Sequence, residues 1–418
     1  MTEQDRVRAE RAVELAARSS YGRLVALLAA RCGDIAAAED ALSEAFMAAL
    51  AQWPEAGVPA RPEAWLVVVA RRRLLDGRRR SQVQEAAADA LTYAAGLTET
   101  ASADGPNGGF PDERLAMLFA CAHPAIDPSM HTPLMLQLVL GMDAATIASA
   151  FLVAPATMAQ RLVRAKTKIR DAGIRITVPE LSEARERLAA VLDAVYAAYG
   201  TAWQELHGAD GTQRDLGPEA VWLARVLHTL LPAEPEVGGL LALLLYCDSR
   251  RLARRAEDGA YVPLDAQDVA RWDRAQVMEA EQLLSGAAKA GQLGRFQLEA
   301  AIQSAHMARL HGQPTNWTAI AQLYEAATRL APSVGLHVAR AAALMHAAGS
   351  EPTLAALDGM PEALVSGYQP WWALRAEVLR RLGRSGESRT AYVRAAGMTE
   401  DPGVRRWLLT RADEPTGS

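Results

Sequence analysis

The sequence predicts an all-α protein, and three observations carry that prediction. Alanine and leucine dominate its apolar residues, apolar positions recur with the helical period, and glycine and proline gather between the periodic stretches. At 418 residues the chain exceeds a single simple core, so two or three domains are expected.

The elements follow in order. "DIAAAEDALSEAFMAALAQW" (34–53) sets Ala38, Leu42, Ala45 and Ala49 on one helical face, with Glu39, Asp40 and Glu44 away from it. "RPEAWLVVVARRRLLDGRRR" (61–80) is a second helix that ends in a basic run. Its Trp65, ahead of the arginines, suits either a core position or an aromatic near unstacked bases. Residues 84–111, rich in Ala, Thr, Gly and Asp without sustained periodicity, read as a linker. Helical periodicity resumes at 112. In "ACAHPA" (120–125) a helix is expected to end, with Pro124 stopping it.

"DAATIASAF" (143–151) then predicts a short helix offering Ile147, Ala148 and Phe151 for packing. After a tight turn, Pro155 suits the first turn of a longer helix. In that helix Met158, Leu162, Ala165 and Ile169 form an apolar stripe. Thr157, Gln160, Arg161, Arg164 and Lys168 occupy another face, about a third of a turn away. The cations Arg161, Arg164, Lys166, Lys168, Arg170 and Arg175 face only Asp171 in a protein of net charge −5. Short helix, tight turn and basic second helix make a helix-turn-helix. In such a motif Thr157, Gln160 and Arg161 suit base edges, and Arg164, Lys166, Lys168 and Arg170 suit phosphates.

From 179 the chain is helical to about 412, with a polar tail over 413–418. "LYEAATRLAP" (323–332) and "AYVRAAGMTEDP" (391–402) resemble each other. Tyr324 and Tyr392 stand two periods of about 34 residues apart, which is the tetratricopeptide length. Stacked helical hairpins are expected whether or not the repeat is of that kind.

Other chemistries find no residues to carry them. Cys32, Cys121 and Cys247 form no CxxC pair, which suggests a reduced, cytoplasmic protein. The charged "MTEQDRVRAERA" start has no signal-peptide core, and "LLALLLYC" (240–247) is too short to span a bilayer, so no membrane association is expected. Cys121, His123 and His131 fit no zinc spacing. No phosphate-binding loop, dinucleotide fingerprint or nucleophile elbow is present, so neither enzymatic activity nor a cofactor is expected.

Taken together, these stretches resemble the extracytoplasmic-function sigma factors of bacterial RNA polymerase. Ala38-Glu39-Asp40, Glu44 and Phe46 fit the family's "AED…QE.F", with Ser43 for the usual glutamine. "AWLVVVARRRLLD" fits "AWL..IARN..LD", with Arg72 where asparagine is common. The helix-turn-helix fits the family's fourth region. The remainder is similar to a subgroup with a C-terminal tetratricopeptide-like extension, through "DERLAMLFACAHPAI", "LLALLLYCDSRRLAR" and "NWTAIAQLYEA".

The resemblance implies a sigma region 2 over 1–83, the linker 84–111, a region 4 over 112–178 and a helical-repeat domain over 179–412. Core RNA polymerase would be bound through its β′ clamp helices by Glu39, Asp40, Glu44 and Phe46, and through its β flap. The −10 element would be held by Trp65, Arg71, Arg72, Arg73 and Arg78. The −35 element would be read by Thr157, Gln160, Arg161, Arg164, Lys166 and Lys168. A regulatory protein would dock on the C-terminal repeats. The alternative is a helical-repeat scaffold or sensor whose DNA-binding half acts as a repressor-type regulator, which has no need of an acidic helix.

Overall fold

The structure is a computed structural model describing residues 3–85, 113–151, 153–176, 179–205, 216–399 and 401–414. The expected linker, from residue 86 onward, and Leu152 in the helix-turn-helix lie outside the described residues. Among those described, helix is the only regular structure apart from one antiparallel bridge between Arg255 and Tyr261. The chain forms two compact units, Met1–Ala198 and Tyr199–Ser418.

Unit one holds α1 (Glu3–Cys32), α2 (Ile35–Ala56), α3 (Pro62–Glu85) and α4 (Glu113–Cys121). It continues with α5 (Pro128–Leu138), α6 (Ala144–Ala150), α7 (Pro155–Asp171) and the first part of α8 (Leu181–Glu205). Asp34 starts α2 by accepting the Ala37 N–H at 3.1 Å, satisfying a donor that the first turn leaves orphaned. The stripe Ala38, Leu42, Ala45 and Ala49 is fully buried, as the period requires. Helix α7 opens on Pro155 and closes at Gly173, whose φ of 62° allows Ile174 to donate back to the Ile169 carbonyl.

In α4, every residue from Leu115 to Cys121 is buried, so this short helix is covered on all sides. Part of that cover is α1, which also runs beside α5. The approach is backbone to backbone: a Cβ on Gly22 would lie 2.0 Å from the Val139 carbonyl oxygen. Only glycine fits there. Helix α2 in turn touches α7. Elements from the stretches expected as separate domains, 1–83 and 112–178, therefore pack together in one unit.

Unit two begins with α9 (Leu216–Leu230), α10 (Pro235–Ser249), α11 (Arg274–Ala288) and α12 (Arg295–Met307). Helix α10 is its centre, with Val237–Tyr246 buried and α9, α11 and α12 around it. The Glu236 carboxylate accepts the N–H groups of Phe296 and Gln297 at 3.0 and 3.1 Å, fixing the positive end of α12 against α10.

The second half contains α13 (Trp317–Leu330), α14 (Val334–Ala348), α15 (Ser350–Asp358) and α16 (Glu362–Val365). It closes with α17 (Gln369–Arg381), α18 (Ser385–Gly397) and α19 (Pro402–Asp413). Neighbouring helices pair along the chain, α13 on α14, α14 on α15, α17 on α18 and α18 on α19. Tyr392 is fully buried, and its hydroxyl donates to Glu377 at 2.8 Å. Although burial opposes ionisation of Glu377, hydrogen bonds from Arg380, Arg381 and Tyr392 outweigh it and pull the carboxyl down to about 2.

Where the two halves meet, His306 of α12 is buried edge-on to Trp317 of α13, which also stacks on His346 of α14 with ring centroids 4.0 Å apart. Burial first, then the positive fields of Arg250, Arg309 and His346, push the His306 imidazole down to about 4. The unfolded chain binds that proton near pH 6.5, whereas the folded one resists it. The stability from a neutral His306 is therefore present above about pH 6.5 and lost as pH falls toward 4, by up to about 3 kcal/mol. Urea unfolding followed by tryptophan fluorescence at pH 7 and pH 4.5 should show this loss, and His306→Gln should flatten it.

Candidate nucleic-acid interface

Helix α7 presents the outward face that its sequence pattern requires. Met158, Leu162, Ala165 and Ile169 are buried, with Ile147 and Ala148 of α6 buried in the same unit. Thr157, Gln160, Arg161, Arg164 and Lys168 are all exposed. Two details differ from expectation. Phe151, offered for packing, stands 37% exposed beyond the end of α6. Lys166 does not join the outward row: its ammonium meets the Glu39 carboxylate of α2 at 2.7 Å, and the two side chains are only 15% and 17% exposed. At 100° per residue Lys166 sits on the opposite flank of the apolar stripe from Arg161, Arg164 and Lys168. The wheel separates it; the partner, 127 residues away, leaves no local signal.

The acidic face of α2 is divided among partners. Glu39 holds Lys166, Asp40 is exposed, and Glu44 lies 3.3 Å from Arg73 of α3. Beside them Phe46 stacks against Tyr21 of α1, with ring centroids 6.5 Å apart. Burial, reinforced by the charges of Glu39 and Asp40, pushes the Tyr21 phenol up to about 12. Tyr21 is thus a neutral hydroxyl beside the acidic face.

Helix α3 carries the basic run. Its start is tied to α1, because the Glu63 carboxylate accepts from Arg23 at 2.7 Å and from the Ser20 hydroxyl. Trp65 is half-buried, edge-on to the buried Trp53 with centroids 5.4 Å apart, so one ring edge is core. Arg72 and Arg73 are exposed and Arg71 is partly covered. Arg78 lies in α3, and its side chain is outside the described residues.

Three further residues carry this arrangement and were not singled out by sequence reasoning: Gly22, Arg23 and Glu63. Cys121 is buried, and burial raises its thiol above the ordinary range. His123 accepts the Ala125 N–H at 3.1 Å, and His131 pairs with the Ile126 carbonyl at 3.1 Å. Among the described residues, no group of three or more His, Cys, Asp or Glu is placed to hold a metal ion. No helix there is long and apolar enough to cross a membrane.

The sigma-70 region 2 family matches residues 17–83, and a family of unknown function, DUF6596, matches residues 187–288. Uncharacterized protein R00370 of Rhizobium meliloti (strain 1021) is 37% identical over 379 residues, covering 90% of this chain and 89% of that protein. No solved structure matches. This chain and the Rhizobium protein belong to one family. Its N-terminal part is a sigma-70 region 2.

That region supports a sigma-factor-like role in transcription initiation, and it implies contact with core RNA polymerase and promoter DNA. Members of the sigma-70 family are not enzymes. Glu39, Asp40, Glu44, Phe46, Trp65, Arg71, Arg72, Arg73 and Arg78 all fall within sigma region 2. Helix α7 lies between the two matched stretches.

Exposed ion pairs contribute about 0–1 kcal/mol, whereas breaking a fully buried pair costs about 3–5 kcal/mol. The Glu39–Lys166 pair lies between these limits. A double-mutant cycle with Glu39→Gln and Lys166→Met should give a coupling energy of about 1–3 kcal/mol in urea unfolding. A value near zero would mean the pair is held only by the packing around it.

Proposed function

We propose that the protein is an extracytoplasmic-function type of sigma factor that directs core RNA polymerase to specific promoters. In this reading residues 1–83 bind polymerase and the −10 element, and 112–178 read the −35 element. Residues 179–412 are a helical-repeat module for regulation or interaction. The observation that carries the reading is the outward row on α7. Thr157, Gln160, Arg161, Arg164 and Lys168 are exposed on one side of a proline-started helix whose other stripe is buried behind a short helix and a turn.

The chemistry assigns the roles along that row. Thr157, Gln160 and Arg161 stand near the helix start, within reach of base edges in a major groove. Arg164 and Lys168 lie further along, where a cation neutralises phosphate and carries no sequence information. On α3 the exposed Arg72 and Arg73 suit the backbone of a melted strand, and the open face of Trp65 suits a stacked base. The acidic face of α2 suits a basic or amide-rich surface of polymerase, with Phe46 as its apolar neighbour. The pairs in the second unit, including the Tyr324 and Tyr392 helices, support a repeat stack in the manner of tetratricopeptide proteins. Residues 84–111 are the proposed linker.

Two experiments test the reading. Replacing Glu39, Asp40 and Glu44 together by lysine should abolish co-purification with core polymerase while circular dichroism keeps its helical signal. Unchanged co-purification would remove the sigma assignment in favour of a repressor-type regulator. Arg161→Ala should change which −35 sequences are used, at about 1–3 kcal/mol per guanine contact. Lys168→Ala should weaken all promoters alike and lower the salt dependence of binding. If the two variants behave identically across sequences, the reading face has been placed wrongly.

A further inference from the structure

The connection between α10 and α11 is far longer than the packing of those helices requires. The two pack on each other, and their facing ends are already joined. The Asp273 N–H donates to the Ser249 carbonyl at 2.8 Å, and the Gln276 amide donates to the Asp248 carboxylate at 3.1 Å. Residues 250–272 leave and return at that closed point. Connections beyond about 12–15 residues are uncommon in compact domains, and ordered ones usually carry a function. Within this one only Arg250, Ala253, Gln267 and Trp272 are buried, so it is not a second core.

The excursion lies on distant helices. Its first part is a small hairpin, 254–262, bridged between Arg255 and Tyr261 and turned at Gly259, whose φ is 78°. Helix α19 seats on it: Asp401 accepts from the Arg255 guanidinium at 2.6 Å, and Trp407 meets the Tyr261 ring edge-on, centroids 5.9 Å apart. The second part runs along Arg309, just beyond α12. That guanidinium donates to the Leu264 and Gln267 carbonyls, the latter at 3.0 Å, and stands 5.4 Å from the centre of the Trp272 ring. Asp265 is close enough to His346, in the last turn of α14, to act on its charge. The C-terminal ends of α10, α12 and α14 thus meet one and the same segment, gripped through its backbone carbonyls and one aromatic ring. Backbone contacts for affinity and a side-chain seat for specificity are how proteins hold peptide segments.

We propose that these helix ends, with α19, form a docking face for a peptide segment, that residues 251–271 fill it within the chain, and that a partner protein docks by presenting the same chemistry. The partner's segment supplies an aromatic residue to Trp407 and, three and six residues further on, carbonyls to Arg309, as Tyr261, Leu264 and Gln267 do here. The inference concerns the second unit alone and stands or falls apart from the sigma reading. Stacked helical hairpins offer such surfaces across successive repeats. Attachment gives the chain's own segment a high effective concentration, so a partner has to compete with it.

The test separates the segment from its seat. In one variant residues 251–271 are replaced by three glycines, which keeps the buried Arg250 and Trp272 and spans ends already in contact. The probe is a fluorescein-labelled synthetic peptide of residues 251–271, followed by anisotropy. The shortened protein should bind it saturably, and adding Arg309→Ala should weaken binding at least about tenfold, or about 1.4 kcal/mol. A peptide carrying Tyr261→Ala should lose a similar factor. The wild-type chain, its face filled, should bind at least about tenfold less tightly than the shortened protein. A helical shortened protein that ignores the peptide, or binds it no better than with Arg309→Ala, overturns the proposal. So does a wild type that binds equally well. Should the shortened protein lose its helical signal, the full-length variant with Arg255→Ala and Tyr261→Ala decides, because it loosens the segment and leaves Arg309 and Trp407 in place. It should bind the peptide at least about fivefold more tightly than wild type; equal binding overturns the docking face.

Discussion

The carbonyl of Val139 occupies the space a side chain would need at residue 22, and the arrangement of the first unit follows from that contact. It lets α1 lie along α4 and α5, which helps to bury a helix that is apolar on every side. With α1 there, α2 is brought to the flank of α7 and Glu39 to Lys166. Ser20 and Arg23, on the same part of α1, then hold the start of α3 through Glu63. One missing methyl group thus connects the placement of the acidic helix, the basic run and the outward row of α7.

Charge in this protein is organised by place more than by total. A net charge of −5 gives no hint of nucleic acid. The outward face of α7 and the later part of α3 are nevertheless basic, while the exposed edge of α2 is acidic. Segregation of this kind suits a protein that meets partners of opposite charge, because each field steers its own partner. It also makes the protein a competitor for its own surfaces, since an acidic helix and a basic helix on one chain attract each other. The Glu39–Lys166 pair is where that attraction is realised.

Much of this was readable before any coordinates. The stripes on α2 and α7 are local periodic patterns, and a helix with a 3.6-residue period must bury such a stripe or waste it. Pro155 marked the start of α7 and Pro124 a stop after α4, since each acts through its own backbone geometry. The sigma-70 region 2 was likewise legible from a few spaced residues in α2 and α3. What escaped was long-range. Gly22 looks like a weak point in a helix until the backbone at Val139, at the end of α5, is known, and the partner of Lys166 is set by the packing of distant elements. Phe151, whose apolar character suggested packing, stays 37% exposed because it lies beyond the end of α6. How the stretches 1–83 and 112–178 are joined depends on 84–111, where composition alone was informative.

The most direct test of the account is the distance between α2 and the end of α7 in the free protein. Fluorophores placed at the exposed positions Gln52 and Arg175 of the full-length chain report it in solution. The account predicts one short distance, because α2 packs on α7 and Glu39 meets Lys166. A long or widely spread distance in the free protein would contradict it.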